Sequence, residues 1–403
     1  MSWEYVTLDK LGIVSRGKSK HRPRNDRALF GGKYPFIQTA DVKAAGLYLT
    51  DYSETYNERG LAQSKLWKAG TLCITIAANI ADTTILGIDA CFPDSVMGFI
   101  PYEGVSNVKF VKYAFDILQR DCQKISQGTA QDNLSWKKLS SIKFPAPPIE
   151  VQDRIVSILS VFDDLIVNNQ KQIKLLEEAA QRLYKEWFVD LHFPGCEEVD
   201  IVDGVPVGWK KTVVGEFLSV RSGYAFKSSW WQSTGFPVVK IKNIINNTVD
   251  ISGVDCVAPE RTNKIPEFKL RNGDVVIAMT GATIGKVGLV PDVPNLYVNQ
   301  RVGKVFPNEG IVNPTPFIFC FYTQKKVLDW IFALSSSSCA QPNISGSQLE
   351  GFEIIANLDV INDFCEIAQP MFDKICVLHK SNKQLMQARD RLLMKLMSGE
   401  IEV

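Results

Sequence analysis

The densest chemistry in the chain lies near its start. Arg16, Lys18, Lys20, Arg22, Arg24 and Arg27 fall within twelve residues, joined by His21 and interrupted by Gly17, Ser19, Pro23 and Asn25. Gly and Pro place this run in a loop, where six mutually repelling cations require a counter-anion or open water. Such a loop can hold phosphate oxygens and reach base edges, so the chemistry expected is polyanion binding, with a merely solvated loop as the alternative. A second cluster, Arg221-Ser222-Gly223-Tyr224-Ala225-Phe226-Lys227 followed by Trp230 and Trp231, exchanges charge for rings that stack in a groove or fill a core.

Bond-making chemistry is hard to find. Gly281-Ala282-Thr283-Ile284-Gly285-Lys286 has three residues between its glycines where a phosphate loop has four, and Val287 follows where Ser or Thr would hold magnesium. A tight hairpin after a strand at 275–279 is the expectation. No glycine fingerprint for a dinucleotide or methyl donor follows a strand. Asn313-Pro314-Thr315-Pro316 lacks the second proline and the aromatic of an amino-methyltransferase site, and Pro93-Asp94 and Pro291-Asp292 have no acid-x-Lys partner close behind. The nine cysteines, Cys73, Cys91, Cys122, Cys196, Cys256, Cys320, Cys339, Cys365 and Cys376, keep no zinc or redox spacing, and His21, His192 and His379 are the only histidines. No metal, no catalysis by the chain itself and a reduced, cytoplasmic setting are expected. The first twenty residues carry no apolar signal core, and no apolar run is long enough to span a membrane.

What positions these loops is a duplication. Tyr34-Pro35-Phe36-Ile37 matches Phe236-Pro237-Val238-Val239, and Ala69-Gly70-Thr71-Leu72-Cys73-Ile74 matches Asn272-Gly273-Asp274-Val275-Val276-Ile277. Ala130-Gln131-Asp132-Asn133-Leu134-Ser135 matches Ala340-Gln341-Pro342-Asn343-Ile344-Ser345 in the same order. The 403 residues therefore hold two copies of one module. Each copy ends in an a/d stripe. The first is Ile155, Leu159, Phe162, Ile166, Asn169, Ile173, Leu176, Ala180, Leu183 and Trp187; the second is Phe364, Ala368, Met371, Ile375, Leu378, Asn382, Leu385, Arg389, Leu392 and Leu396. The stripes predict two long helices packed on each other as a coiled coil, with Asn169 and Asn382 setting register. The alternative is that each packs only on its own module. Pro370 should kink or delay the second helix.

Charge follows the same plan. Residues 1–148 carry net +5 and 205–356 net +4, against −7 for 149–204 and −1 for 357–403, within an overall +1. A polyanion should meet the two globular modules, leaving the helices for protein partners.

With these features in place, the chain resembles the specificity subunit of type I restriction-modification systems from end to end. Pro147-Pro148-Ile149-Glu150-Val151-Gln152 is similar to that family's opening of its first long helix, and Gly273-Asp274, Thr280 to Lys286 and Asn299-Gln300-Arg301-Val302 resemble recurring segments of its recognition domains. Leu392-Leu393-Met394-Lys395-Leu396-Met397-Ser398-Gly399-Glu400 resembles its last helix. Ile355-Ala356-Asn357-Leu358-Asp359-Val360 lacks the double proline, so the second helix should start differently. The resemblance implies an α+β chain: two α/β target-recognition domains, 1–148 and 205–356, separated by two long helices packed as an antiparallel coiled coil. The helical regions would be 149–190 and 357–403, with a linker at 191–204.

It also implies double-stranded DNA as ligand, two methyltransferase subunits and a restriction (translocase-nuclease) subunit as partners. S-adenosylmethionine, ATP and magnesium would sit on those partners and none on this chain. Candidate DNA-contacting residues are Arg16, Lys18, Lys20, His21, Arg22, Arg24 and Arg27 in the first module. In the second they are Arg221, Tyr224, Phe226, Lys227, Lys240, Lys242, Thr280, Thr283, Lys286, Gln300 and Arg301. The stripe from Ile155 to Trp187 spans about 50 Å at 1.5 Å per residue, against about 34–36 Å for one DNA turn. A bipartite target with an unread spacer follows. A stand-alone DNA-binding protein, or a single-chain restriction or modification enzyme with an unrecognised active site, is the alternative.

Overall fold

The computed structural model describes residues 3–77, 80–126, 136–336 and 342–403. The first copy of the third repeat pair, and Ala340, Gln341 and Cys339, lie outside the described residues, as does the Cys122 side chain. By contacts the chain divides into two units, Met1–Ile166 with Leu385–Val403, and Val167–Gln384.

In the first unit a five-stranded sheet runs in the order Gly12–Arg16, Val96–Pro101, Leu72–Thr75, Thr83–Leu86, Tyr48–Leu49. A four-stranded sheet runs Glu54–Tyr56, Phe30–Phe36, Ala90–Cys91, Leu66–Trp67, its middle pair parallel. The second unit repeats both. Its large sheet is Leu218–Ser222, Val302–Pro307, Val275–Ala278, Val287–Leu289, Thr248–Val249, extended by Ile244–Ile245. Its small sheet is Cys256–Val257, Phe236–Val239, Leu296–Val298, Lys269–Leu270, again with a parallel middle pair. The duplication is thus one of topology, and the repeated Gly-then-apolar segment shows why. Gly70 (φ +88°) and Gly273 (φ +82°) turn the chain into Leu72–Thr75 and Val275–Ala278, which are buried at every position. A strand covered on both faces needs an unbroken apolar run, and the left-handed turn before it favours glycine.

Two helices of 40 residues each, Ile149–Phe188 and Leu358–Met397, follow the two modules. In the first unit, Ile155 and Leu159 near the start of one helix share a core with Leu393, Leu396 and Met397 near the end of the other. In the second unit, Ala180, Tyr184 and Trp187 share a core with Phe364 and Ala368. Start meets end in both, so the helices are antiparallel. The same cores contain Phe99, Phe110 and Phe144 in the first unit, and Ile277, Phe317 and Phe319 in the second. The stripes therefore serve both expected purposes: each packs on its partner helix, and its outer part completes the core of a module.

Pro370 does not delay the second helix, which begins twelve residues earlier and continues through it. Its ring is exposed, while Phe364, Ala368, Phe372 and Ile375 around it are buried. The missing N–H costs one hydrogen bond on the wet side, and the packed side holds the helix. The two helix starts differ as expected. Gln152, fully buried, donates to Val105 O and Pro147 O and accepts the Asn107 N–H at 3.0 Å. The second helix is instead capped by Asn357, whose Oδ1 accepts the N–H of Asp359 and Val360 while its Nδ2 donates to Gly208 O at 2.8 Å.

Candidate nucleic-acid interface

In both units the chain leaves the edge strand of the large sheet and crosses the carboxyl end of the parallel pair in the small sheet. Gly17 N–H donates to Val96 O and Lys18 N–H to Phe92 O in the first unit. Gly223 N–H donates to Val302 O and Tyr224 N–H to Val298 O in the second. A Cβ on Gly17 would lie 2.2 Å from Pro93 O, and one on Gly223 would lie 2.4 Å from Val298 O. Close backbone approach imposes glycine at both places. Counterparts in this hydrogen-bond frame lie 206 residues apart (223 against 17, 302 against 96, 298 against 92). By that register Lys18 corresponds to Tyr224, and Asp94 to Gln300.

The basic loop meets its charge in both expected ways. Arg24 Nη2 donates to Asp94 Oδ1 at 2.5 Å, and Arg22 Nη2 lies 3.9 Å from Asp94 Oδ2. Arg22 also donates through Nη1 to Ser19 O and His21 O, so much of its donor capacity is spent on its own loop. His21 Nε2 is 2.8 Å from Asp26 Oδ2, and Asp26 Oδ1 accepts the Ala28 N–H. That backbone bond, and then His21, hold the Asp26 carboxyl below the usual range. Gln63 Oε1 accepts the N–H of Lys20 and His21, and Ser64 Oγ–H donates to Lys18 O, fixing the path of the loop. Arg16, Lys18, Lys20 and Arg27 point into solvent with no ion pair among the described residues.

In the second unit one end of the sheets gathers most of the candidates. Asn299 N–H donates to Val239 O, Gln300 N–H to Tyr224 O and Met279 N–H to Arg301 O, tying together the segments that carry Lys240, Tyr224, Gln300, Arg301 and Thr280. Tyr224 stacks on Trp230, with ring centroids 6.3 Å apart and planes at 10°, and Lys227 lies 5.6 Å over Trp230. Lys240 and Lys242 share Asp255 at 3.0 and 2.9 Å, which holds that carboxyl below its ordinary range, and Lys240 sits 3.4 Å over Trp231. Gln300 and Arg301 are exposed.

Three candidates fall elsewhere. Phe226 is buried in the core with Val238, Val257, Ile265 and Tyr297. The Thr283 hydroxyl is buried and has no hydrogen-bond partner among the described residues. Arg221 lies over Phe306 in a neighbouring cleft that also contains buried Lys304 and half-buried Asp274, 2.6 Å apart, a pairing that the sequence reading did not give.

The remaining motifs are structural. Gly281–Thr283 is a short 3-10 turn between Val275–Ala278 and Val287–Leu289, as the hairpin reading expected, and Lys286 is exposed on it. Gly281 N–H bonds Pro342 O, Gly285 N–H bonds Ala278 O and Lys286 N–H bonds Thr283 O, so these amides are not aimed at a phosphate. Thr315 Oγ1 donates to Gly273 O, and Asp292 pairs with Lys380 at 3.0 Å. Burial pushes the Cys365 thiol up to about 12 and the Cys376 thiol up to about 11. Among the described residues no group of His, Cys, Asp or Glu is placed to hold a metal, and no helix is long and apolar enough to cross a membrane.

Residues 1–178 and 206–356 match the family described as type I restriction modification DNA specificity domain, and the chain belongs to that family. It is 26% identical over 417 residues to the type I restriction enzyme MjaIX specificity subunit of Methanocaldococcus jannaschii, covering 100% of this chain and 94% of that protein. It is 26% identical over 414 residues to the MjaVIII specificity subunit of the same organism, covering 100% and 93%. The crystal structure of a type I restriction-modification S subunit from M. genitalium, 17% identical, covers 98% of this chain and 96% of its own with a TM-score of 0.53, so the two share a fold.

Proposed function

We propose that the chain is the DNA-reading subunit of a type I restriction-modification complex, and that each module reads one half of a bipartite target. The observation that carries this is the common frame with different chemistry on it. Lys18 and Asp94 of one unit stand where Tyr224 and Gln300 stand in the other. One scaffold bearing unlike side chains is what two readers of unlike half-sites require. The target-recognition domains are residues 1–148 and 205–356. The helical regions 149–190 and 357–403, joined to the second module by 191–204, fix the unread spacer and receive two methyltransferase subunits. A restriction subunit completes the complex in the cytoplasm. S-adenosylmethionine, ATP and magnesium act on those partners, and this chain makes no bonds itself.

Mapping methylated sites in a host with and without the gene tests this. One bipartite motif should vanish with the gene. Methyl transfer or cleavage by the purified chain alone would overturn the non-catalytic assignment.

A further inference from the structure

The cations of the basic loop differ in what holds them. Arg16, Lys20 and Arg27 are exposed charges without ion-pair partners among the described residues, suited to phosphates of any sequence. Arg22 donates to two carbonyls of its own loop. Arg24 is held at one point only. Its Nη2 meets Asp94 Oδ1 at 2.5 Å, its side chain is 49% exposed, and no other hydrogen bond engages it among the described residues. A guanidinium carries five N–H donors in one plane, so a single bond fixes the fork and leaves most donors presented.

We propose that Arg24 reads a guanine in the first half-site and that Asp94 is the residue positioning it. This rests on the DNA-reading function proposed above. Asp94 is itself well anchored. The Gly17 and Lys18 amides bond Val96 O and Phe92 O on either side of it, Ile76 N–H bonds Ser95 O, and Pro93 is buried. The carboxylate therefore sits on a rigid segment and prepays the ordering of a long side chain, which is what a reader needs to discriminate. An arginine fork matches O6 and N7 of guanine in the major groove. An exposed ion pair adds little to stability, so the pair can be dissected without unfolding the module. The second module supplies the internal contrast. It has Gln300 at the place of Asp94, exposed and neutral, with no arginine held against it among the described residues. Changes at Asp94 must therefore alter one half-site alone.

The test uses the complex assembled with its methyltransferase subunits and selects bound sites from a randomised duplex library. Wild type should select a bipartite motif with an invariant guanine in one half. Arg24→Ala and Arg24→Lys should relax that single position by roughly ten- to a hundred-fold, leaving the other half-site unchanged. Asp94→Asn should relax the same position by a smaller factor, with the salt dependence unaltered. Lys20→Ala and Arg27→Ala should weaken all sequences equally and lower the salt slope by about one unit each.

If Arg24→Ala weakens every sequence alike, Arg24 is a phosphate contact and the proposal falls while the two-reader function stands. If Asp94→Asn moves no base preference, or moves a different one, the positioning role falls. If wild type selects no bipartite motif, the two-reader function itself falls.

Discussion

Arg389 Nη1 donates to the buried carboxylate of Asp163 at 2.6 Å, joining the end of the second long helix to the first. The Tyr113 hydroxyl donates to the other oxygen of the same carboxylate. Burial, and then the hydrogen bond to Asp163, hold the Tyr113 phenol above its ordinary range. A buried carboxylate with a salt bridge and a phenol bond is satisfied; deprived of its arginine it is not. Arg389→Met should cost about 3–5 kcal/mol, and replacing all three partners together by Asp163→Leu, Arg389→Met and Tyr113→Phe should recover much of that loss. Urea unfolding of the full chain, wild type against the single and triple variants, measures both. Equal losses in single and triple variants would mean that packing, and not charge, sets the cost.

Asn169 Nδ2 donates to Asn382 Oδ1 at 2.9 Å, and both side chains are buried in the seam. Asn382→Leu leaves the Asn169 amide only its 3.4 Å contact with Ser381 Oγ and should cost about 1–3 kcal/mol, as should Asn169→Leu. The double leucine variant should be close to wild type or more stable, because two apolar groups replace a matched polar pair. A double-mutant cycle on thermal unfolding reads the coupling. A coupling near zero would show that the pair does not set the register.

Lys286→Ala should leave ATP hydrolysis by the assembled complex unchanged. The loop amides that would cradle a phosphate are bonded within the fold, to Pro342 O, Ala278 O and Thr283 O. Steady-state hydrolysis with DNA binding checked in parallel decides it. Lost hydrolysis with intact DNA binding would return the loop to nucleotide chemistry.

If the helix pair is the ruler between half-sites, a matched deletion shortens it. Moving from Asp163 to Asn169 advances six residues while their partners retreat seven, from Arg389 to Asn382. Residues 166–172 therefore lie opposite 379–385, and those two segments should be removed together. Seven residues per helix keep the a/d phase and shorten each by about 10 Å. The preferred gap should contract by about three base pairs at 3.4 Å each, with both half-site sequences unchanged. Selection from a randomised library measures the gap, and an unaltered gap would remove the helices from that role.

The sequence by itself determined the duplication, the two long helices and the polar places, Asn169 and Asn382, in their seams. These are periodic or repeated features, and period is set by local geometry: a turn of helix or an alternation of strand leaves the same mark wherever the chain goes. It also determined that Gly281 to Lys286 turns a hairpin, because spacing alone disqualifies a phosphate loop.

Only the tertiary structure decided which polar groups meet. Asp94 lies 70 residues from Arg24, Asp163 lies 226 from Arg389, and Asp274 lies 30 from Lys304, with nothing periodic linking them. It also decided that Phe226 is core while Tyr224, two residues earlier, stays half-exposed, since an aromatic type suits either place until the neighbours are known. And it decided that the end of the chain completes the core of the first module. That closure depends on the helices running antiparallel, a choice their a/d stripes leave open because an apolar seam has no direction.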